Sequence, residues 1–472
     1  MLPEHNPGEQ EMNREKIVFD ERLISKYDKA GPRYTSYPTA PQFNNDFDEL
    51  SYCMHATKSV EQNPEGGLSL YVHIPFCDNI CYYCACNKII TKDTSRANEY
   101  LKYLHNEISI QGELFKGRHV KQMHWGGGTP TFIGMPAITA LFYQLRQNFE
   151  FLDDEEGEYA IEVDPRRVDR QIISQLRETG FNRLSLGVQD FDPEVQQAIN
   201  RVQSTELVRS VVSEARNNEF HSISMDLIYG LPLQSVSRFR KTLDEVIDIR
   251  PDRLSLFNYA HLPKQFKPQR RINEEDLPSA EQKLDILKSS IETLTEAGYV
   301  YIGMDHFALP EDELALAQEQ GRLTRNFQGY STHADTDIVA MGVSAIGAVG
   351  DSYSQNAHDV ETYTSMMKQG MLPIVRGLSL TEEDCMRRFI IQSLMCHFEL
   401  DFGELWERHS IQFNHHFASI LPQLQEMHQD GLLKVNGQVL YVLPPGRMLI
   451  RAICMLFDEY LNEGNRKYSK VI

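Results

Sequence analysis

Between residues 68 and 304 short apolar runs alternate with longer amphipathic ones, and this alternation confines the chain to few folds. The strand-like runs are 68–74, 120–125, 158–163, 183–188, 222–228 and 253–258, with a weaker one at 299–303. Between them, apolar residues recur at helical spacing: Ala97, Leu101, Leu104 and Ile108; Ile138, Leu141, Phe142 and Leu145; Leu207, Val208, Val211, Val212 and Ala215. Each set lines one face of a helix. Gly180, before the fourth strand, fits a helix C-cap. Strand–helix repetition builds a parallel sheet with right-handed crossovers. Periodicity does not decide between an open doubly wound sheet and a full or partial barrel. Both place their sites at the C-terminal ends of the strands.

The unusual residues fall at those ends. Four cysteines follow the first strand, and Gly126-Gly127-Gly128-Thr129-Pro130 follows the second. Glu162 and Asp164 close the third strand, Gln189 and Asp190 the fourth. Asp226 sits late in the fifth, ahead of Tyr229-Gly230-Leu231-Pro232, and Asn258-Tyr259-Ala260 ends the sixth. Outside this core, residues 1–55 read as a polar, irregular extension. From about 376 come helices and then apolar runs at 432–435 and 439–442 around Asn436-Gly437, a hairpin signal. Helices followed by a hairpin make a small winged-helix-like domain.

Such domains often bind DNA, but the charge balance argues for a packing or lid role here. Lys and Arg total 47 against 67 Asp and Glu, a net charge of −20, which repels phosphate backbones and anionic lipids. Nucleic acid and membrane partners are therefore not expected, and an anionic substrate must find local cations. The N-terminus lacks the apolar core of a signal peptide, and no apolar run is long enough to span a bilayer, so the expected location is cytoplasmic.

In a reducing compartment a tight cysteine group points to a metal or redox site. Cys77, Cys81, Cys84 and Cys86 form such a group, whereas Cys53, Cys385, Cys396 and Cys454 are scattered. C-x3-C-x2-C supplies three corners of an iron–sulfur cubane and leaves one iron open, where clusters normally take four cysteines. Zinc with Cys86 as a fourth ligand is the alternative, although zinc motifs usually come as two separated pairs.

The motif, with an aromatic before its last cysteine, resembles the signature of radical S-adenosylmethionine enzymes. PRYTSYPTA (32–40), SLYVHIPFC (69–77), HWGGGTPT (124–131), IEVDP (161–165), RLSLGVQDF (183–191), DLIYGLP (226–232), FNYAHLP (257–263), GMDHFA (303–308) and NFQGYST (326–332) stand in order. Together they resemble the oxygen-independent coproporphyrinogen III oxidases across nearly the whole chain.

That resemblance implies an α/β fold: a partial (β/α)6-type barrel in 56–375, an extension over the active site in 1–55 and the winged-helix-like domain in 376–472. It implies one [4Fe–4S] cluster on Cys77, Cys81 and Cys84, and two S-adenosylmethionines. Tyr71, Tyr83, Gly127 and Glu162 match positions that hold the first, on the open iron. Gly128, Thr129, Gln189, Arg201, Asp226, Ala260 and Ile346 match a second site. Cys86 and Gln328 match residues important for catalysis, neither being a cluster ligand. The implied reaction converts two propionates of coproporphyrinogen III to vinyl groups, giving protoporphyrinogen IX, with a flavodoxin- or ferredoxin-type donor of low potential. Arg33, Tyr34 and Arg270 are candidate substrate contacts, since arginine pairs with carboxylates in a bidentate way. The rival reading is a haem-binding, haem-trafficking or haem-modifying member of the same branch. Its trafficking members generally lack the 32–40 element and the fourth cysteine, both present here. Oligomeric state is not written in the sequence; a monomer is the simplest expectation.

Overall fold

The computed structural model describes residues 17–334 and 336–462. The chain divides into two units, one of Phe43–Ser289 with Asp335–Ser379, the other of Met1–Gln42, Ser290–Ala334 and Leu380–Ile472.

The larger unit is built on strands β1 (Gly67–Ile74), β2 (His119–Gly127), β3 (Glu158–Val163), β4 (Arg183–Gln189), β5 (Ser222–Tyr229) and β6 (Arg253–Asn258). They are joined by helices α1 (Ser95–Leu114), α2 (Met135–Asn148), α3 (Arg170–Thr179), α4 (Thr205–Asn217) and α5 (Val236–Ile249). Adjacent strands pair in parallel in the order of the chain, from β6 through to β1. A doubly wound sheet would reverse that order at a switch point. An unreversed order with right-handed crossovers puts every helix on one face, and α1 to α5 pack against each other in sequence. The sheet does not close. Beyond β1 it continues with β7 (Thr336–Met341), parallel, and then with β8 (Ile346–Ala348), β9 (Ser352–Asn356) and β10 (Ile374–Ser379), antiparallel. The result is a partial barrel.

Alternation along the strands decides what each face can do. Leu70, Val72, Met123, Trp125, Ile161, Leu184, Leu186, Met225, Leu227, Leu254 and Leu256 are buried, and Trp125 meets Phe142 of α2. The residues between them include Tyr71, His73, His124, Glu162, Ser185, Asp226 and Ser255, which must point the other way. A slip of one residue would exchange the two sets, and burying each large apolar side chain is worth about 1.5–3 kcal/mol, so the register is strongly fixed. α3 ends at Gly180, whose φ of 122° suits a cap without a Cβ.

In the smaller unit, helix α6 (Glu382–His397) starts with a capping box between Thr381 and Asp384. β11 (Glu399–Asp401), β12 (Leu433–Asn436) and β13 (Val439–Val442) form an antiparallel sheet in the order β11-β13-β12. The Asn436-Gly437 turn joins its hairpin, with Gly437 at φ 62°. The 32–40 segment is fastened within this unit. Arg451 donates from Nε to the Pro32 carbonyl at 2.7 Å and from Nη2 to that of Gly31, and Tyr34 donates to Asp458 at 3.0 Å. No helix among the described residues is long and apolar enough to cross a membrane.

Candidate active site

The cysteine loop leaves β1 through Phe76–Cys77, which pairs with Ile89–Ile90 to close the loop at its base. Its crown is tied to the segment after β4: Tyr82 donates its backbone N–H to Ile199, and Asn200 donates to the Ile80 carbonyl at 2.7 Å. Gln269, fully buried, donates one amide to the carbonyls of Tyr83 and Ala260, at 3.0 and 3.2 Å. Tyr83 packs beside a cluster of Val195, Ile199, Ile228, Leu231, Tyr259 and Ile272. Loop, β4 end and β6 end are thereby joined.

The glycine run explains its own composition. Gly128 and Thr129 donate backbone N–H groups to Ile74 and Phe76, each at 2.8 Å. A Cβ on Gly128 would lie 2.7 Å from the Phe76 carbonyl oxygen, and one on Gly126 would lie 2.6 Å from Glu162 Oε1. Gly127 has φ 108°, and its missing Cβ would meet the His73 ring. These glycines let one backbone lie against another and leave room for Glu162.

Donors gather at the sulfurs. Thr129 Oγ1 lies 3.4 Å from Cys77 Sγ; Arg201 Nη1 and Arg166 Nη2 lie 3.5 and 3.7 Å from Cys81 Sγ. Arg201 also reaches Asp164 at 3.2 Å and the Gly187 carbonyl. Burial works against the Asp164 charge, but Arg166 and Arg201 hold its carboxyl below the ordinary range. Lys88 donates to the Cys84 carbonyl at 3.0 Å. Cys86 is exposed, and its thiol beside Cys84 holds Cys84 below the ordinary thiol range while Cys86 itself is raised. Burial pushes Cys77 up to about 11. Three sulfurs on one loop, two of them met by threonine and arginine donors, are a set suited to thiolates carrying an iron–sulfur cluster.

A row of polar side chains runs across the strands next to the loop. The Tyr71 ring stacks on His124 at 6.0 Å, and His124 Nε2 is 3.0 Å from Glu162 Oε1. Tyr71 Oη is 3.1 Å from His73 Nδ1, whose other nitrogen is 3.1 Å from the Asn87 carbonyl. Burial lowers His73 and raises Tyr71. Asp226 takes a hydrogen bond from Ser185, and burial together with the Glu162 charge pushes it up to about 6. Gln189 ends β4 with φ 72°, its amide close to Gly187 and Arg201.

Cys77, Cys81, Cys84, Cys86, Tyr71, Tyr83, Gly127, Gly128, Thr129, Glu162, Gln189, Arg201, Asp226 and Ala260 thus lie at the strand ends of the larger unit, most linked by the contacts above. Ile346 opens β8, paired with Gln355. Arg270 is exposed and donates to the Pro263 carbonyl at 2.9 Å. Arg33, Tyr34 and Gln328 belong to the smaller unit; Arg33 faces Asp305 at 3.5 Å, and Tyr34 is buried with its hydroxyl on Asp458. Sequence reasoning passed over His73, His124, Arg166 and Gln269. A polar residue at every second position of β1 and β2 marked the two histidines. Nothing local marked Arg166 or Gln269.

A C-x3-C-x2-C loop beside a glycine-lined strand end defines the class. Residues 71–246 match the Radical SAM superfamily, and residues 380–449 match the HemN C-terminal domain. The oxygen-independent coproporphyrinogen III oxidase of Pseudomonas aeruginosa is 52% identical over 97% of this chain and 99% of its own. That of Escherichia coli K12 is 48% identical over 98% and 100%. The solved structure described as coproporphyrinogen III oxidase (HemN) from Escherichia coli, a radical SAM enzyme, superposes with a TM-score of 0.90 over 95% of this chain and 100% of that one, at 48% identity. The chain belongs to the family of oxygen-independent coproporphyrinogen III oxidases.

Proposed function

We infer that the chain carries out the oxidative decarboxylation of two propionates of coproporphyrinogen III, giving protoporphyrinogen IX without oxygen. The observation that carries this reading is the match to curated oxidases along 97% of the chain at half of its positions. Each turn removes a hydrogen atom from the propionate carbon next to the ring, then carbon dioxide and one electron, leaving a vinyl group. A [4Fe–4S] cluster with S-adenosylmethionine, when bound, supplies the 5′-deoxyadenosyl radical for the first of these steps.

Cys77, Cys81 and Cys84 would hold the cluster, and Arg201, Arg166 and Thr129 place positive potential and hydrogen-bond donors at the Cys81 and Cys77 sulfurs. Glu162, steadied by His124, takes the ammonium or ribose hydroxyls of the first S-adenosylmethionine. Tyr71 and Tyr83 flank it, and Gly127 admits its backbone contact. Gly128, Thr129, Gln189, Arg201, Asp226, Ala260 and Ile346 line a second S-adenosylmethionine site, which gives each propionate its own oxidant. Asp226 is suited to this because its raised value lets it donate or accept at one hydroxyl. Cys86 and Gln328 act on the substrate side. Arg270 presents an exposed guanidinium to a propionate, and Arg33, half-exposed and 3.5 Å from Asp305, would exchange that carboxylate for a propionate, with Tyr34 holding its segment in place. A one-electron carrier of flavodoxin or ferredoxin type reduces the cluster, and the enzyme acts as a cytoplasmic monomer.

The test is anaerobic turnover of cluster-reconstituted protein with coproporphyrinogen III, S-adenosylmethionine and a strong reductant, following the tetrapyrrole by mass. Stepwise loss of two formic-acid equivalents, with two deoxyadenosines per product, supports the reading. Deoxyadenosine with an unchanged tetrapyrrole overturns it.

A further inference from the structure

A substrate with four carboxylates, bound by a chain of net charge −20, needs cations kept free for it. The arginines of the smaller unit are mostly engaged. Arg33 faces Asp305, Arg387 pairs with Glu383 and Glu459, Arg408 with Glu404, and Arg451 holds the Gly31 and Pro32 carbonyls. Arg325 differs. It lies in the strand Thr324–Asn326, directly across from Tyr330 in Gly329–Ser331, and is 5% exposed. Its guanidinium lies over the Tyr330 ring, 4.7 Å from the centroid. Stacking satisfies the face of a guanidinium and leaves its edge, where the N–H groups point. On that edge Nε and Nη1 are buried with no acceptor among the described residues. At the turn of the same hairpin the Gln328 amide nitrogen is also buried without one.

All three orphan groups are donors. Buried polar groups are nearly always paired, and an uncompensated buried charge is among the costliest features a fold can carry. A purely structural arginine here would have drawn a carboxylate to itself, as Arg387 does. What is missing is an anionic, acceptor-rich partner.

We propose that Arg325 is the residue that receives one propionate of the tetrapyrrole, its guanidinium donating to the carboxylate with the Gln328 amide as a neighbouring donor. This rests on the reading of the chain as a coproporphyrinogen oxidase and names a substrate contact that the motif comparison did not supply. It also gives the Arg-Asn-Phe-Gln stretch at 325–328 a reason to pair a cation with an amide on one turn.

The experiment is an anaerobic titration of the cluster-reconstituted full chain with coproporphyrin III, with its uncharged tetraamide and, separately, with S-adenosylmethionine. Wild type, R325M and R325K are compared. R325M removes the charge at similar volume, and R325K keeps the charge but loses the planar fork. A charge-assisted arginine–carboxylate bond predicts that R325M weakens coproporphyrin III binding by about tenfold or more. Tetraamide and S-adenosylmethionine affinities stay within about twofold, and R325K falls between. Equal affinity of wild type and R325M for coproporphyrin III overturns the proposal. So does an equal loss for the tetracarboxylate and the tetraamide, which marks a structural arginine, or a loss confined to S-adenosylmethionine, which assigns the cation to the cofactor's carboxylate. If R325M does not fold, R325K decides: a loss specific to the tetracarboxylate supports the proposal, and none overturns it. Wild type that binds neither tetrapyrrole removes the oxidase reading itself, and the proposal with it.

Discussion

Replacing Gly128 by alanine tests whether the glycine run exists to seat the cysteine loop. The added Cβ would stand 2.7 Å from the Phe76 carbonyl oxygen and 2.9 Å from both Phe76 N and the Pro75 carbonyl carbon. All three are backbone atoms of the stretch that leads into Cys77, so no side chain can swing away to relieve the contact. The two backbone hydrogen bonds that join the segments, Gly128 to Ile74 and Thr129 to Phe76, must lengthen together. Overpacking of this kind costs about 1–3 kcal/mol. The displacement falls on Cys77 and on the Thr129 hydroxyl beside it, so G128A is expected to unfold at lower temperature and to retain less iron and sulfide after reconstitution. Gly134 is the control. With φ 78° and ψ 155° it sits in a region almost reserved for glycine, but its nearest neighbour is Pro136 at 4.0 Å, so G134A carries a backbone penalty of about 1–3 kcal/mol without touching the loop. Thermal midpoints, iron content and the cluster absorption band are measured on both. A G128A protein with full iron, an unaltered band and wild-type stability would refute the reasoning.

Three further outcomes follow from the site. Asp226 is pushed up to about 6 by burial and by Glu162, from an ordinary 3.8. A carboxyl raised on folding opposes stability above its folded value, here by about 3 kcal/mol, and not below its unfolded one. D226N should therefore exceed wild type in denaturant stability above pH 6, with the gap closing as pH falls towards 4; a pH-independent gap would contradict this. R201M removes a cation from Cys81 while Asp164 keeps Arg166 at 2.6 Å. The cluster should become harder to reduce, read as a more negative midpoint in an EPR-monitored redox titration, and an unchanged midpoint would show that Arg201 does not act on the sulfur. C86S should keep its iron while C77S, C81S and C84S lose cluster stability, since C-x3-C-x2-C supplies the three ligands and Cys86 is the exposed cysteine beyond them; iron loss in C86S equal to the other three would restore it to the ligand set.

The parallel half of the fold was legible because its strands carry a dense apolar face. The observed β3 and β6 have the expected bounds, β1, β4 and β5 differ by one residue at one end, and β2 is longer by one residue at its start and two at its finish. Strand order could not be read from periodicity, which is local, so the choice between doubly wound sheet and partial barrel waited for the pairing. β7 to β10 were all missed: β8 is only three residues long, and β9 is polar, its Ser352, Ser354, Gln355 and Asn356 buried without looking it. The helix Glu49–Gln62, which starts in a segment read as irregular, hides in the same way, for its buried positions are Tyr52, Ala56 and Ser59 rather than an aliphatic stripe. In the site, cysteines and glycines announce themselves by spacing. Arg201 and Gln269 act through contacts with distant parts of the chain. Without the family resemblance Arg201 would have been read as a surface cation, and Gln269 not at all. Arg325 was invisible for the opposite reason, since what distinguishes it is an absent partner.

The central step is hydrogen abstraction from a propionate by a radical made at the Cys77–Cys81–Cys84 loop. Coproporphyrinogen III deuterated at the propionate carbons next to the ring, turned over anaerobically with unlabelled S-adenosylmethionine, measures this in one experiment. The account predicts 5′-deoxyadenosine carrying one deuterium for each vinyl group formed. Vinyl formation accompanied by unlabelled 5′-deoxyadenosine would contradict it.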